Sequence, residues 1–183
     1  MLKITGGSKR GMILSAPRGK EVRPTSAKIR EALFSIIGDS VIDAYVLDLF
    51  AGSGILGIEA MSRGASSATF VDSGSAAAWN VLMNLKKTGL ENKCRVMNMD
   101  FRKALRVMKK QKSTFNLVFL DPPYSKKVIE EAVRGLVDSG LLEDRSMLIA
   151  EYSISSGPEF SEQLHLLINR RYGSTGIGVY LHC

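Results

Sequence analysis

Phe115-Asn116-Leu117-Val118-Phe119-Leu120-Asp121-Pro122-Pro123-Tyr124 reads as a buried strand that stops abruptly. Its first six residues are apolar apart from Asn116 and rich in β-formers. Proline cannot donate to a sheet ladder, so the strand must end at Asp121. Open α/β sheets keep their ligands at that carboxyl edge. The two prolines stiffen the backbone between Asp121 and Tyr124 and leave carbonyls without local N–H partners. A carboxylate, a free carbonyl and an aromatic ring together suit a flat base with an exocyclic amine. The Asp121 carboxylate and the Pro122 carbonyl can accept the two N–H bonds of the amine and localise its lone pair. Tyr124 can stack on the ring, worth about 1–3 kcal/mol per base. The plainer alternative is a strand followed by a Pro-Pro turn with a surface tyrosine.

Upstream, strands and helices alternate. Tyr45 to Leu49 is a predicted strand, Phe50-Ala51-Gly52-Ser53-Gly54 a tight loop, and Ile55 to about Ser62 a helix ending near Gly64. A second strand covers 68–72. The helix 75–87 has Ala78, Leu82 and Leu85 on one side, with Trp79 and Met83 beside them. A third strand covers 94–98 and a basic helix 101–110. Beyond the 115–120 strand come a helix over 127–138 and strands over 147–152, 164–170 and 176–182. This alternation predicts an α/β fold with a doubly wound, mostly parallel sheet. The last two strands are too close for a helical crossover and are predicted to be antiparallel.

Gly52-Ser53-Gly54-Ile55-Leu56-Gly57 satisfies the dinucleotide-binding fingerprint, with Asp72 twenty residues after Gly52. The glycines let backbone approach a ligand, and Asp72 can accept from a ribose diol. Nicotinamide dinucleotides and S-adenosylmethionine both make those demands. Asp48 favours S-adenosylmethionine, because a carboxylate at the end of the first strand suits an ammonium and a sulfonium better than a pyrophosphate. Asp100 and Phe101, after the third strand, offer an acceptor for an adenine amine and an aromatic beside it. They read equally well as a helix N-cap with a core phenylalanine.

The 183 residues suffice for one substantial core. No apolar run reaches the roughly 18 residues of a membrane span, and the N-terminus lacks a signal-peptide apolar region. Cys94 and Cys183 have no metal spacing, and His165 and His182 have no nearby ligands, so no metal site is expected. Reduced thiols and the absence of a targeting segment predict a cytoplasmic protein. Nothing in the chain requires more than a monomer.

The net charge of +7 is concentrated in residues 1–30, which hold eight basic residues against Glu21 alone. The other residues balance, 17 basic to 17 acidic. A basic segment on a neutral body is the footprint of a polyanion-binding arm. Residues 2–6 and 11–14 are predicted to form a β-hairpin with a basic tip. Thr25 or Ser26 is placed to cap a helix running to Ile37 with Gly38 as its stop. Its apolar stripe is Ile29, Ala32, Leu33, Ile36 and Ile37, leaving Lys28 and Arg30 off it. Residues 1–40 thus form a predicted basic extension on a domain of residues 41–183. Lys9, Arg10, Arg23 and Arg30 are the expected phosphate contacts.

The chain carries, in order, Gly6-Gly7…Arg10-Gly11, Arg23-Pro24-Thr25…Arg30-Glu31-Ala32-Leu33-Phe34, Val46 to Gly54, Ser62-Arg63-Gly64-Ala65, Phe119 to Tyr124 and Tyr172-Gly173. Together these blocks resemble the RsmD family of bacterial methyltransferases, which modify the N2 of a guanine in small-subunit (16S) ribosomal RNA. The Arg-Pro-Thr…Arg-Glu-Ala-Leu-Phe block is the specific one, since the glycine loop and Asp-Pro-Pro-Tyr recur among amino-methyltransferases. The resemblance implies a seven-stranded class I methyltransferase sheet with an N-terminal RNA-binding hairpin. It implies S-adenosylmethionine contacts at Asp48, Phe50, Ala51, Gly52, Ser53, Gly54, Asp72, Asp100 and Phe101. The target amine falls at Asp121, Pro122, Pro123 and Tyr124, and RNA at Lys9, Arg10, Arg23, Thr25 and Arg30. The expected partner is ribosomal RNA or a partly assembled small subunit. Three positions depart from the pattern: Asp72 where Glu is usual, Ser35 for Asn and Asn116 for Asp. Four other readings stay open: adenine-N6 methylation; a protein-glutamine methyltransferase, which usually shows Asn in place of Asp121 and would not need the basic arm; a nicotinamide oxidoreductase; and a catalytically idle RNA-binding protein, against which the intact Asp48 loop and Asp121 argue.

Overall fold

The computed structural model describes residues 2–16, 27–122, 126–154, 158, 160 and 163–183. Arg23, Thr25, Pro123 and Tyr124 lie outside them, as do both proposed caps of the first helix.

The chain opens with a short antiparallel hairpin, β1 (Leu2–Lys3) and β2 (Ile13–Leu14), with Leu2 opposite Leu14. Helix α1 (Ala27–Ile37) follows. Then come β3 (Tyr45–Asp48), α2 (Ile55–Ser62), β4 (Ser67–Asp72), α3 (Ser75–Thr88), β5 (Cys94–Asn98), α4 (Phe101–Lys110), β6 (Phe115–Leu120) and α5 (Lys126–Asp138). Three strands close the chain: β7 (Leu142–Ser153), β8 (Leu164–Tyr172) and β9 (Thr175–His182). The main sheet has seven strands in the order β5-β4-β3-β6-β7-β9-β8. The first five are parallel, and β9 runs antiparallel to both of its neighbours. The strand order reverses between β3 and β6, so a crevice opens at the carboxyl ends of those two strands.

The period of two along each strand feeds two separate cores. Val46, Leu117 and Phe119 join Ile58, Val81, Leu85 and the hairpin residues Leu2, Ile4 and Leu14 on one face. Leu47, Val118 and Leu120 join Leu105, Met108, Ala132 and Leu136 on the other.

Two helices are rotated relative to the expected phase. In α1 the buried side is Arg30, Leu33, Phe34 and Ile37, at the i, i+3, i+4, i+7 spacing. The ring of Phe34 sets this phase by packing on Phe119, with centroids 5.8 Å apart. In α3 the inward residues are Ala78, Val81, Asn84, Leu85 and Thr88, while Leu82, Trp79 and Met83 are exposed. Strand β7 starts earlier than expected. Leu142 pairs with Phe115, and a register irregularity with Arg145 at φ 59 separates that pair from the regular ladder.

Polar contacts to α2 fasten the hairpin. The backbone N–H and hydroxyl of Thr5 both donate to the buried Glu59 carboxylate at 2.8 Å. Ser62 donates its hydroxyl to the Gly6 carbonyl and accepts from the Lys9 N–H. Arg63 donates to Glu59 and lies over the Phe34 ring. Gly7, at φ 74, lies so close to Ser62 that a Cβ there would be driven into its backbone. Arg30 belongs to the same cluster, which corrects its expected role. The side chain is buried, donates to the Lys3 carbonyl at 2.6 Å and faces Glu59 at 4.0 Å, so it does not present its charge to a phosphate.

Candidate active site

Loop closure begins at Asp48. Its carboxylate is buried and accepts the N–H of Gly57 at 3.1 Å, satisfying one of the donors that a helix N-terminus leaves open. The residue at the helix N-cap position is Gly54, which has no side chain to do this, so the strand supplies the acceptor. Gly52 and Gly54 have φ of 52° and 75°, the left-handed region that glycine enters without strain. A Cβ on Gly57 would be driven into the ring of Phe70, so this glycine serves close packing of α2 on β4.

Asp72 works on the loop from the other side. One carboxylate oxygen accepts the Gly52 N–H and the other the Gly74 N–H, each at 2.8 Å. Each oxygen retains a second lone pair, so the expected ribose contact is compatible with this bracing role. Asp100 caps α4 by accepting from the Arg102 N–H at 2.9 Å, and its other oxygen meets the Arg102 guanidinium. Arg102 also reaches Glu131 on α5, so the Asp100 carboxylate is held in place by a bridge between two helices. Phe101 is buried against Phe50, with centroids 5.3 Å apart. Phe50 keeps the more exposed ring of the two.

Asp121 leaves β6 half-buried, and Pro122 beside it is buried. Burial pushes the Asp121 carboxyl well above the usual carboxylate range, and the charges of Glu151 and then Asp48 push it further. Burial likewise pushes Asp48 up to about 7, against the pull of the Gly57 hydrogen bond, with Asp72 adding to the rise. A ring of carboxylates at the ends of adjacent strands, held partly out of water, is a site that gains by binding a cation.

Glu151 is a member of this group that the motifs do not reveal. It follows Ala150, the register partner of Leu120, and so stands beside Asp121. Its only signal in the sequence is a lone charge in the apolar run Met147 to Tyr152. Asn84 is equally silent in sequence. Its buried amide donates to the carbonyl of Ser53 in the glycine loop at 3.0 Å. Lys9 and Arg10 lie at the hairpin tip, with Arg10 exposed and Lys9 half-buried. Among the described residues no group of His, Cys, Asp and Glu is arranged for a metal ion, and no helix is long and apolar enough to cross a membrane.

Residues 2–181 match the family described as Conserved hypothetical protein 95. The Ribosomal RNA small subunit methyltransferase D of Escherichia coli is 35% identical over 156 residues, covering 85% of this chain and 77% of that protein. The chain belongs to the RsmD family. A further relative, YlbH of Bacillus subtilis, is 36% identical over 180 residues and 98% of each chain. The solved structure of yhhF from Escherichia coli superposes with a TM-score of 0.89 at 32% identity, over 99% of this chain and 97% of that one. The RsmD-family sheet seen here is the class I methyltransferase sheet, with an antiparallel β9 inserted before the edge. That insertion departs from the all-parallel 3-2-1-4-5-6 order of nicotinamide-binding domains.

Proposed function

We propose that this chain methylates the exocyclic N2 amine of a guanine in small-subunit ribosomal RNA, with S-adenosylmethionine as the methyl donor. The observation that carries the reading is the meeting of Asp48 and Asp121 across the switch point, close enough for the charge of one to raise the other. One acid belongs to the glycine loop and the other to the Asp-Pro-Pro-Tyr motif, so cofactor and base would share one crevice. The name of the Escherichia coli relative supports small-subunit ribosomal RNA as the substrate.

The residues present fit the donor. Asp48 offers negative charge to an ammonium and a sulfonium, Asp72 and Gly52 offer a braced edge to a ribose, and Phe50 with Asp100 offers a ring and an acceptor to an adenine. When bound, S-adenosylmethionine supplies an electrophilic methyl group. The protein supplies orientation and electrostatics. Asp121 and the Pro122 carbonyl accept the two amine N–H bonds, which returns the lone pair to the nitrogen. Tyr124 stacks on the base. A guanine that is paired must first be turned out of its helix. The proton lost after transfer is strongly acidic, so Asp121 or water suffices to take it. Lys9 and Arg10 contact phosphates, and Arg23 and Thr25 are the further RNA contacts that the family resemblance implies.

The test is incubation with labelled S-adenosylmethionine and small-subunit ribosomal RNA, supplied both naked and as assembled particles, followed by digestion to nucleosides. Label in N2-methylguanosine is the expected result. Label in N6-methyladenosine overturns the choice of base, and no label in either RNA form overturns the choice of substrate.

A further inference from the structure

Asn84 sits near the middle of α3 with its amide almost fully buried, in a position that neither the glycine-loop motif nor the Asp-Pro-Pro-Tyr motif accounts for. Its hydrogen-bonding capacity is divided between two distant parts of the chain. The Oδ1 atom accepts the N–H of Ser15 at 2.9 Å, and Nδ2 donates to the carbonyl of the same residue at 2.9 Å. The second Nδ2 proton goes to the carbonyl of Ser53 at 3.0 Å. One turn earlier, Asn80 adds a further donor to the Ser15 carbonyl at 2.8 Å. Ser53 is the centre of the glycine loop. Ser15 directly follows β2 of the N-terminal hairpin, whose tip carries Lys9 and Arg10.

An amide is planar, so its three bonds cannot be adjusted independently. Holding Ser53 in one place fixes the twist of the Asn84 amide, and that twist fixes whether both backbone groups of Ser15 are met in line. A ligand that fixes the loop therefore lowers the cost of fixing Ser15 and the hairpin strand it follows, and the converse holds equally. We propose that Asn84 is a positioning residue that couples occupancy of the glycine loop to seating of the hairpin of the basic arm, so that cofactor and RNA bind with positive cooperativity. The inference rests on the reading of the loop as the cofactor site and of the arm as the RNA contact.

The experiment measures the dissociation constant of S-adenosylhomocysteine with and without saturating small-subunit ribosomal RNA. Wild type is expected to bind about 5-fold or more tightly in the presence of RNA, the lower end of ordinary coupling between sites. Asn84→Asp is nearly isosteric and keeps the acceptor for Ser15, but sets oxygen against the carbonyls of Ser15 and Ser53. It is expected to bind each ligand alone and to lose the cooperativity, a ratio that a loss of stability alone would not abolish. Retention of the wild-type ratio in the variant overturns the proposal, as does a ratio of one in wild type. A measurement on wild type guards against a variant that fails to fold. S-adenosylhomocysteine alone, without RNA, is expected to slow hydrogen exchange at the Ser15 amide, and an unchanged rate overturns the coupling. Normal binding of each ligand with no coupling leaves the functional reading intact, whereas failure of wild type to bind either ligand overturns both.

Discussion

The Asp48 carboxylate at the end of β3 accepts the N–H of Gly57 in the first turn of α2, at 3.1 Å. A buried acid thus closes the glycine loop, and burial leaves it with a pKa of about 7. The ionised form is the one a cationic ligand prefers. As pH rises through 7 the site gains its charge, so affinity for S-adenosylmethionine is expected to rise about tenfold between pH 6 and pH 8. Asp48→Asn keeps an acceptor for Gly57 and abolishes the charge. It is expected to bind weakly at both pH values, and a pH-dependent affinity surviving in that variant would show that another group is responsible. Calorimetry at the two pH values reads both outcomes.

Asp121→Ala is expected to abolish methyl transfer while S-adenosylhomocysteine still binds, because the acid belongs to the proposed base-binding half of the crevice. Turnover within tenfold of wild type would remove Asp121 from the reaction. Equilibrium binding and single-turnover rates separate the two effects.

Glu151 sets part of the Asp121 pKa through its charge, second to burial. In the proposed mechanism ionised Asp121 is the stronger acceptor for the amine N–H, so activity is expected to fall as pH drops through its pKa. Glu151→Gln removes the repulsion, lowers that pKa and is expected to move the acid limb of the pH–rate profile to lower pH. An acid limb that stays in place would assign it to a different group.

At the hairpin tip, Lys9 and Arg10 form part of the expected phosphate-binding surface. The double variant Lys9→Gln, Arg10→Gln is expected to raise the RNA KM and to reduce the salt slope of binding by about one for each phosphate no longer neutralised. Equal slopes in variant and wild type would mean that these side chains face solvent in the complex. Binding titrations at several salt concentrations give the slope.

Much of the architecture was readable because strands, glycines and prolines have local signatures. The β6 strand, its stop at Asp121-Pro122 and the loop from Phe50 to Gly54 follow from such rules. What could not be read depends on tertiary packing. Arg30 belongs to the buried side because Phe34 packs on Phe119 and turns α1, which helical periodicity alone does not dictate. Leu82 faces outward because Asn84 occupies an inward position that composition assigns to an apolar residue. Glu151 joins the site only through the pairing of β7 with β6. Asp72 carries a bracing role besides its expected ribose contact because the N–H groups of Gly52 and Gly74 converge on it in space.

The Glu59 cluster changes what can be cut from this protein. The carboxylate is fully buried; of its partners, Thr5 and Arg30 come from the first thirty residues, and Arg63 follows α2 itself. Deleting those residues to obtain a minimal catalytic core would leave this charge to Arg63 alone and strip both Thr5 hydrogen bonds from α2, the helix that the glycine loop opens into. A hydrogen bond to a charged group is worth about 1.5–3 kcal/mol, a large share of the stability of a single domain. The arm and the methyl-transfer machinery are therefore one inheritable unit. Grafting the proposed RNA contacts of the hairpin onto another methyltransferase would require transplanting α2 with it.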